Sequence, residues 1–490
     1  MSGIWPLYST RAARALDARA TQALGGDPYV LMQRAGHVAW QHLLLHWPEA
    51  QRIVVVCGPG SNGGDGYVLA RHAQRAGRHV EVVHLPVHVP GNPVAQRACT
   101  EYVAGGGHVT LFEDTLPRAD VLVDALFGIG LSRAPDADAH ALIHAINRQS
   151  APVLSLDVPS GVDADQGGTP GAAVVATRTL QFIARHAGLF TGDALEYTGA
   201  LSLEALDVPA STFEGVSAGA TLLGHDALAR WLFPRRRNTH KGESGHVLSI
   251  GGDEGSGGAI ALCAEAALRA GAGLVSVATR PAHVAALLAR RPEAMVRAVE
   301  STDDLAPLLA RTRVIAVGPG LGQGEWGRAL FLHAVRSGKS LVLDADALNL
   351  LAASPVLLRD AILTPHPGEA ARLLACATAD VQRDRFAAAQ AIAERYDSVV
   401  VLKGAGTVIA APGEMPRVIE AGNPGMAVGG MGDVLTGVIA ALRAQGLSAF
   451  DAAGAGALLH ALAGDAAAWD GQRGLLPSDL FPHLRRLANP

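Results

Sequence analysis

The sequence predicts an α/β protein built from two domains. Three observations carry that prediction. At 490 residues the chain is long for a single hydrophobic core. Short apolar runs without polar alternation recur between helix-compatible stretches, the pattern of a parallel sheet covered on both faces. That pattern stops in the polar and glycine-containing residues from Pro209 to Gly219, breaks again at Arg235-Arg236-Arg237-Asn238, and then restarts. The boundary is placed near Gly215, giving domains of residues 1–215 and 216–490.

Each element has its own local ground. Arg11 to Leu24 and Tyr29 to Trp47 read as helices. Strand-like runs follow at Ile53–Cys57, Val80–Leu85, Val121–Asp124 and Val153–Asp157, with helices expected over Asp65–Ala76 and Asp138–Arg148. In the second domain the strands are Val247–Ile250, Leu274–Ala278, Val314–Val317, Leu341–Leu343 and Val399–Leu402, and Ala361–Leu363 is a shorter apolar run. Ile260–Ala270 and the apolar stretch after Gly432 are its clearest helices. Valine and isoleucine dominate the strand runs because their branched side chains fit a pleated surface.

Composition narrows the function. The chain is 49% hydrophobic and 17% charged, which fills cores and excludes disorder. A formal net charge of −5 gives no ground for nucleic acid or an anionic membrane as partner. The four cysteines, Cys57, Cys99, Cys263 and Cys376, are far apart and form no metal motif, which favours a reducing cytoplasm. Met1 to Thr10 lacks the basic-then-apolar layout of a signal peptide, and runs such as Ile439 to Ala444 are too short to span a bilayer.

The most informative motif is Gly429-Gly430-Met431-Gly432-Asp433, which opens the apolar stretch Val434 to Ala444. Glycines let successive N–H groups turn inward around an anion, and a helix starting there adds its positive end. Asp433 is a poor phosphate ligand but a suitable base for a hydroxyl about to attack one. The pattern reads as phosphoryl transfer.

Other strands of this half end in turns rich in Gly, Pro or Asp. They are Gly251-Gly252-Asp253, Gly318-Pro319-Gly320-Leu321-Gly322, Asp344-Ala345-Asp346, Thr364-Pro365-His366-Pro367-Gly368-Glu369 and Lys403-Gly404-Ala405-Gly406-Thr407. In parallel sheets ligands bind beyond the carboxyl ends of strands, so these turns are expected to share one crevice. Taken singly each has a plain explanation. A glycine turn is ordinary loop geometry, Lys403 a solvated charge, His366 a loop histidine, and Asp344 and Asp346 caps of the next helix. Together they supply amides, a cation and a base.

From about His225 to Pro490 the chain resembles the nucleotide-dependent NAD(P)H-hydrate dehydratases of the ribokinase-like superfamily. The resemblance rests on the motifs above together with Thr239-His240-Lys241-Gly242, Gly245-His246-Val247 and the run Ala266 to Leu274. It implies ADP as co-substrate and a divalent metal, Mg²⁺. The hydrate's ring hydroxyl becomes a phosphate ester, whose elimination restores the dihydronicotinamide. It further implies a nucleotide site of Lys403, Gly404, Ala405, Gly406, Thr407 and Gly432, and a hydrate site of Ala259, Gly322, His366 and Asp433. Asp433 is the implied base, and Glu369 and Asn349 are weaker candidates for holding the metal through water.

In the first half, Ile53–Cys57 runs into Gly58-Pro59-Gly60-Ser61-Asn62-Gly63-Gly64-Asp65-Gly66, a strand–glycine–helix context without the GxGxxG spacing. Two further strands end in Asp124-Ala125-Leu126-Phe127-Gly128-Ile129-Gly130-Leu131 and Asp157-Val158-Pro159-Ser160. Their oxygen donors suit a hard cation, or cap helices. From roughly Ile4 to Pro209 this half resembles the NAD(P)H-hydrate epimerases, with a Rossmann-like α/β/α fold. The implied K⁺ ligands are Asn62, Asp124 and Ser160. The implied substrate contacts are Ser61, Asn62, Gly63, Gly64, Asp65, Gly128, Ile129, Gly130, Leu131, Ser132, Arg133, Ala134 and Asp157. Asp157 is the candidate acid/base, a role a ribose-binding carboxylate would share in appearance. The chain departs from the pattern at Ser61, where the family generally carries Asn.

The joint expectation is an enzyme acting on small molecules, hydrated NADH and NADPH with ADP, and assembled as a homo-oligomer. Two rivals stand beside it: an ordinary small-molecule kinase in the second half, and a non-catalytic nucleotide-sensing module in the first.

Overall fold

The computed structural model of the chain describes residues 3–131, 133–358 and 360–489. It divides into two compact units, Pro6–Ala220 and the chain from Thr221 onward, the latter joined by residues 3–5.

In the unit Pro6–Ala220 seven strands form a wholly parallel sheet. Their order is His108–Leu111, His79–His84, Arg52–Cys57, Val121–Ala125, Val153–Leu156, Arg178–Phe182 and Ala200–Glu204. The chain reverses direction across the sheet between Arg52–Cys57 and Val121–Ala125, so a crevice opens beyond their carboxyl ends. Successive residues of one strand feed opposite faces. Val55 and Cys57 pack with Tyr67 and Leu69 on one side, and Val54 and Val56 with Leu142 and Ile143 on the other.

The two expected N-terminal helices occupy Thr10–Ala23 and Pro28–His46, capped by Ser9 and Asp27. The glycine-rich run differs from expectation. The helix expected from Asp65 begins at Ser61, so Ser61 to Asp65 form its first turns rather than a loop. The structure also contains the helix Pro93–Ala104 and the strands His108–Leu111, Arg178–Phe182 and Ala200–Glu204, none of which the apolar pattern marked. His108–Leu111 at the sheet edge and Ala200–Glu204 are little buried, and Arg178–Phe182 buries the polar Thr179 and Gln181, so no apolar run announces them.

The second unit places its strands in the order Met295–Ala298, Leu274–Thr279, His246–Ile250, Val314–Val317, Ser340–Leu343, Ala361–Leu363 and Val399–Leu402, all parallel. Thr407–Ala410 and Arg417–Ile419 then continue it antiparallel. Helices Gly257–Arg269, Met431–Ala444 and Ala449–Ala467 pack on one face, and Glu325–Arg336, Ala345–Ala353 and Arg385–Tyr396 on the other. Here the crossover lies between His246–Ile250 and Val314–Val317. Their carboxyl ends carry Gly251-Gly252-Asp253 and Gly318 to Gly322. Among the described residues no helix is long and apolar enough to cross a membrane.

Candidate active sites

In the second unit Gly430 caps the helix Met431–Ala444 in the left-handed region at φ 99°. An added Cβ there would press on Leu262 and Pro477, so only glycine fits this backbone turn. The helix starts earlier than expected, and Gly432 and Asp433 occupy its first turn, where N–H groups lack partners within the helix.

A cation stands directly before that turn. A Cβ at Gly432 would lie 3.2 Å from Lys403 Nζ and 3.3 Å from Asp344 Oδ2. Lys403 donates to Asp344 Oδ1 at 2.7 Å and lies 3.8 Å from Glu369 Oε2. Asp344 also accepts from Thr436 Oγ1 at 2.8 Å. Burial opposes both charges, but the pairing wins, keeping the Asp344 carboxyl below and the Lys403 ammonium above their ordinary pKa. Asp344 does stand at the start of a helix, yet its side chain caps nothing there. Its carboxylate is spent on the lysine instead.

Asp433 has the opposite environment. Burial, with help from Asp344 and Asp346 and against Lys403, pushes its carboxyl up to about 7. The remaining expected residues fall around the same carboxyl-end rim. Gly322 N–H donates to Asp346 Oδ2 at 2.8 Å, and a Cβ at Gly322 would meet Asp253 Oδ2 at 2.8 Å. Ala259 lies in the first turn of Gly257–Arg269, against Gly320. His366 caps the helix Pro367–Leu374 by accepting from Gly368 N–H, and Glu369 returns the favour to His366 N–H at 2.8 Å. Burial holds the His366 imidazole below its usual pKa, favouring this acceptor form. Asn349 Oδ1 accepts from Arg372 Nε at 2.8 Å.

The loop Lys403 to Thr407 is fastened from beneath by Arg385, a fully buried side chain the sequence reading did not single out. It donates to the carbonyls of Leu402 and Lys403 at 3.2 Å. Gly404 and Gly406 have φ 128° and 63°, and Thr407 Oγ1 donates to Gly404 O. Ala405 sits exposed at the tip.

In the unit Pro6–Ala220 a cavity of about 670 Å³ opens at the crossover. Ser61, Asn62 and Asp65 line it from the helix Ser61–Arg75, Gly128 to Leu131 with Arg133 and Ala134 from the loop after Val121–Ala125, and Asp157 from the end of Val153–Leu156. Ser132 lies outside the described residues. Gly63 and Gly64, expected as contacts, are absent from this wall. A Cβ on Gly63 would run into Gly58 O at 2.0 Å and one on Gly64 into Met32 at 2.3 Å, so these glycines admit close packing.

Asn62, Asp124 and Ser160 meet beside the cavity. Buried Asp124 accepts from Ser160 Oγ at 2.5 Å, Ser160 N at 2.9 Å and Ser155 Oγ at 2.8 Å. Burial outweighs these bonds and raises its pKa. Asn62 donates to Phe127 O at 3.0 Å, but its buried Oδ1 has no partner among the described residues. Asp157 holds a left-handed backbone at φ 64°, and its Oδ1 lies 2.9 Å from Nε2 of the fully buried His186. Neither His186 nor Asp17, which also lines the cavity, was marked by the sequence motifs.

Comparison with known proteins bears on both units. Residues 247–486 match the family model described as NAD(P)H-hydrate dehydratase, and residues 28–188 that of the YjeF-related protein N-terminus. A bifunctional NAD(P)H-hydrate repair enzyme of Coxiella burnetii is 48% identical over 99% of both chains. The chain belongs to the bifunctional NAD(P)H-hydrate repair enzyme family. The Escherichia coli member is 44% identical, covering 97% of this chain and 92% of its own. A solved ribokinase-like superfamily protein from Enterococcus faecalis matches 55% of this chain and 96% of its own, with 31% identity and a TM-score of 0.52. Membership in the repair family therefore extends over both sites, and the ribokinase-like fold is that of one unit.

Proposed function

We propose that the chain repairs hydrated NADH and NADPH. The unit Pro6–Ala220 interconverts the R and S epimers of the hydrate. The second unit dehydrates the S epimer with ADP, by phosphorylation and then phosphate elimination, giving AMP and phosphate. Hydroxide is a poor leaving group and phosphate a good one, so phosphorylation brings dehydration within reach near neutral pH.

The observation that carries the reading is Asp433, a carboxyl pushed up to about 7 beside Lys403 in the first turn of a glycine-capped helix. Its carboxylate takes the proton of the attacking hydroxyl. The amides of Gly430 to Gly432 and the Lys403 ammonium stabilise charge on the transferring phosphoryl, and Lys403 to Thr407 hold the nucleotide. Ala259, Gly322 and His366 border the hydrate. Asp344, Asp346, Glu369 and Asp433 against Lys403 leave an excess of carboxylates, which fits Mg²⁺ held through water at Glu369, with Asn349 as the other candidate. When bound, the ion neutralises phosphate charge.

In the epimerase unit the unpartnered Asn62 Oδ1 beside Asp124 and Ser160 fits a hard monovalent cation, K⁺, which would fix the substrate. Asp157 takes part in proton transfer at the inverted carbon. The four free thiols support a cytoplasmic setting, and a homo-oligomer is the assembly proposed. The test gives the purified full chain a mixture of hydrate epimers with ADP or ATP, followed by chromatography. Recovery of NAD(P)H from both epimers is expected. Phosphorylation of a vitamin or sugar, with no recovery from the hydrate, overturns the reading.

A further inference from the structure

A hydrated dinucleotide is long, and its phosphates lie well away from its reacting ring. The strand ends of the second unit are spread widely enough to hold both parts, since neighbouring strands lie about 4.8 Å apart. Lys403 follows Val399–Leu402, two strands to one side of Ser340–Leu343, whose end carries Asp344 beside Gly432. Arg280 follows Leu274–Thr279, three strands to the other side, about 14 Å away. On the proposed reading ADP covers the Lys403 side, so the hydrate reaches across Gly322 toward Arg280. The intervening turns Gly251 to Ser256 and Gly318 to Gly324 contain no lysine or arginine.

Arg280 is held as a phosphate-binding arginine needs to be. Its Nε donates to Asp253 Oδ1 at 2.8 Å, and its guanidinium lies 4.4 Å from the centroid of the Trp326 ring. Trp326 is buried and anchored by its own N–H to Val299 O at 2.9 Å. Carboxylate and ring together fix the plane of the group. Its two terminal nitrogens have no partner among the described residues, and 24% of the side chain is exposed. The pair is not needed to fasten the two turns. Thr279 Oγ1 donates to Gly252 O at 2.9 Å, and His283 Nε2 lies 3.1 Å from Asp253 O. Nor does the local charge repel an anion carried on a sugar. Asp253 Oδ1 is taken by Arg280, while Oδ2 lies against Gly322, 2.8 Å from where its Cβ would be, and suits a ribose hydroxyl. Asp346, the next carboxylate, accepts from Gly322 N–H at 2.8 Å and Gln323 Nε2 at 3.3 Å. A ribose phosphate presents hydroxyl and anion side by side, which a carboxylate paired with an arginine matches without excess positive charge.

We infer that Arg280 is a specificity-determining residue of the second unit, its terminal N–H groups holding a phosphate of the hydrated coenzyme while Asp253 and Trp326 keep them aimed. The contact is made alike before and during phosphoryl transfer, so it governs KM rather than kcat. This rests on the dehydratase reading of the unit.

The experiment measures ADP-dependent dehydration of the S epimers of hydrated NADH and hydrated NADPH by the full chain, wild type beside Arg280→Gln and Arg280→Lys. Arg280→Gln should raise KM for the hydrate at least about tenfold, with kcat and the KM for ADP within about threefold. A rise for both hydrates assigns their common pyrophosphate to Arg280, and a rise confined to the NADPH hydrate assigns the ribose phosphate. Arg280→Lys keeps a cation beside Asp253 and loses the flat fork, so it should raise the same KM at least about threefold and decides the matter even where the glutamine variant folds poorly. Wild-type KM for both hydrates in the variants, or a loss confined to kcat or to the KM for ADP, overturns the inference. A wild type that dehydrates neither hydrate refutes the dehydratase reading itself, a distinct result.

Discussion

Lys403 Nζ donates to Asp344 Oδ1 at 2.7 Å, joining the ends of two strands that the sequence separates by nearly sixty residues. Asp344 is buried, and Glu369, at 3.8 Å, and Asp433 are the other carboxyls that act on the lysine. Replacing Asp344 by Asn strands an ammonium inside the protein. The expected cost is about 3 kcal/mol, the lower end of the usual range because Glu369 remains. Denaturant unfolding of the variant checks it.

The same substitution reaches Asp433 through its charge. Asp344 helps to raise the Asp433 carboxyl to about 7. A base works ionised, so dehydration in the wild type should rise about tenfold per pH unit below about 7 and level off above it. In Asp344→Asn, with one repelling charge gone and Lys403 less occupied, that rise moves to lower pH. Profiles of kcat for the two proteins decide this.

Asp433→Asn removes the base and keeps the shape. Dehydration should fall at least ~100-fold while the affinity for ADP, measured by calorimetry, stays within about threefold. Near-normal turnover would exclude Asp433 from proton transfer.

Gly432→Ala places a methyl 3.2 Å from Lys403 Nζ and 3.3 Å from Asp344 Oδ2. The residue is helical, so the fold should hold, since alanine favours a helix over glycine. ADP binding should weaken at least about tenfold because the methyl fills the approach to the amides. Equal affinity in both proteins would separate Gly432 from the phosphates.

Asn62→Ala deletes the amide oxygen that has no partner among the described residues. Epimerisation in the variant should need at least tenfold more K⁺ than wild type for half its maximal rate, with dehydration unaffected. The K⁺ dependence of each activity is the readout.

What the sequence disclosed follows from the range of the interactions involved. Asp433 and Lys403 were legible because the glycines flanking them mark local backbone turns. Asp344 read equally as a helix cap or as part of the crevice, since a cap looks the same in sequence as a residue paired across the sheet; only the register of the strands brings Lys403 to it. Asp17 and His186 carry no such neighbours. Asp17 follows Leu16 on a helix whose buried stripe is Ala13, Leu16 and Ala20, and reads there as a surface charge. The glycines at 63 and 64 show the ambiguity of the signal, since a ligand and close packing, against Gly58 O for the first and the Met32 side chain for the second, both demand a missing side chain.

Residues 3–5 belong with the unit from Thr221 onward: Gly224 N–H donates to Gly3 O at 2.8 Å, and the Trp5 ring lies over Gly224. During translation this strip leaves the ribosome about 220 residues before its partner is made, and a contact so distant along the chain forms late. A fragment starting at Thr221 would be born without the strip, so a trustworthy dehydratase half has to be produced with residues 3–5 restored as a leader or supplied as a peptide.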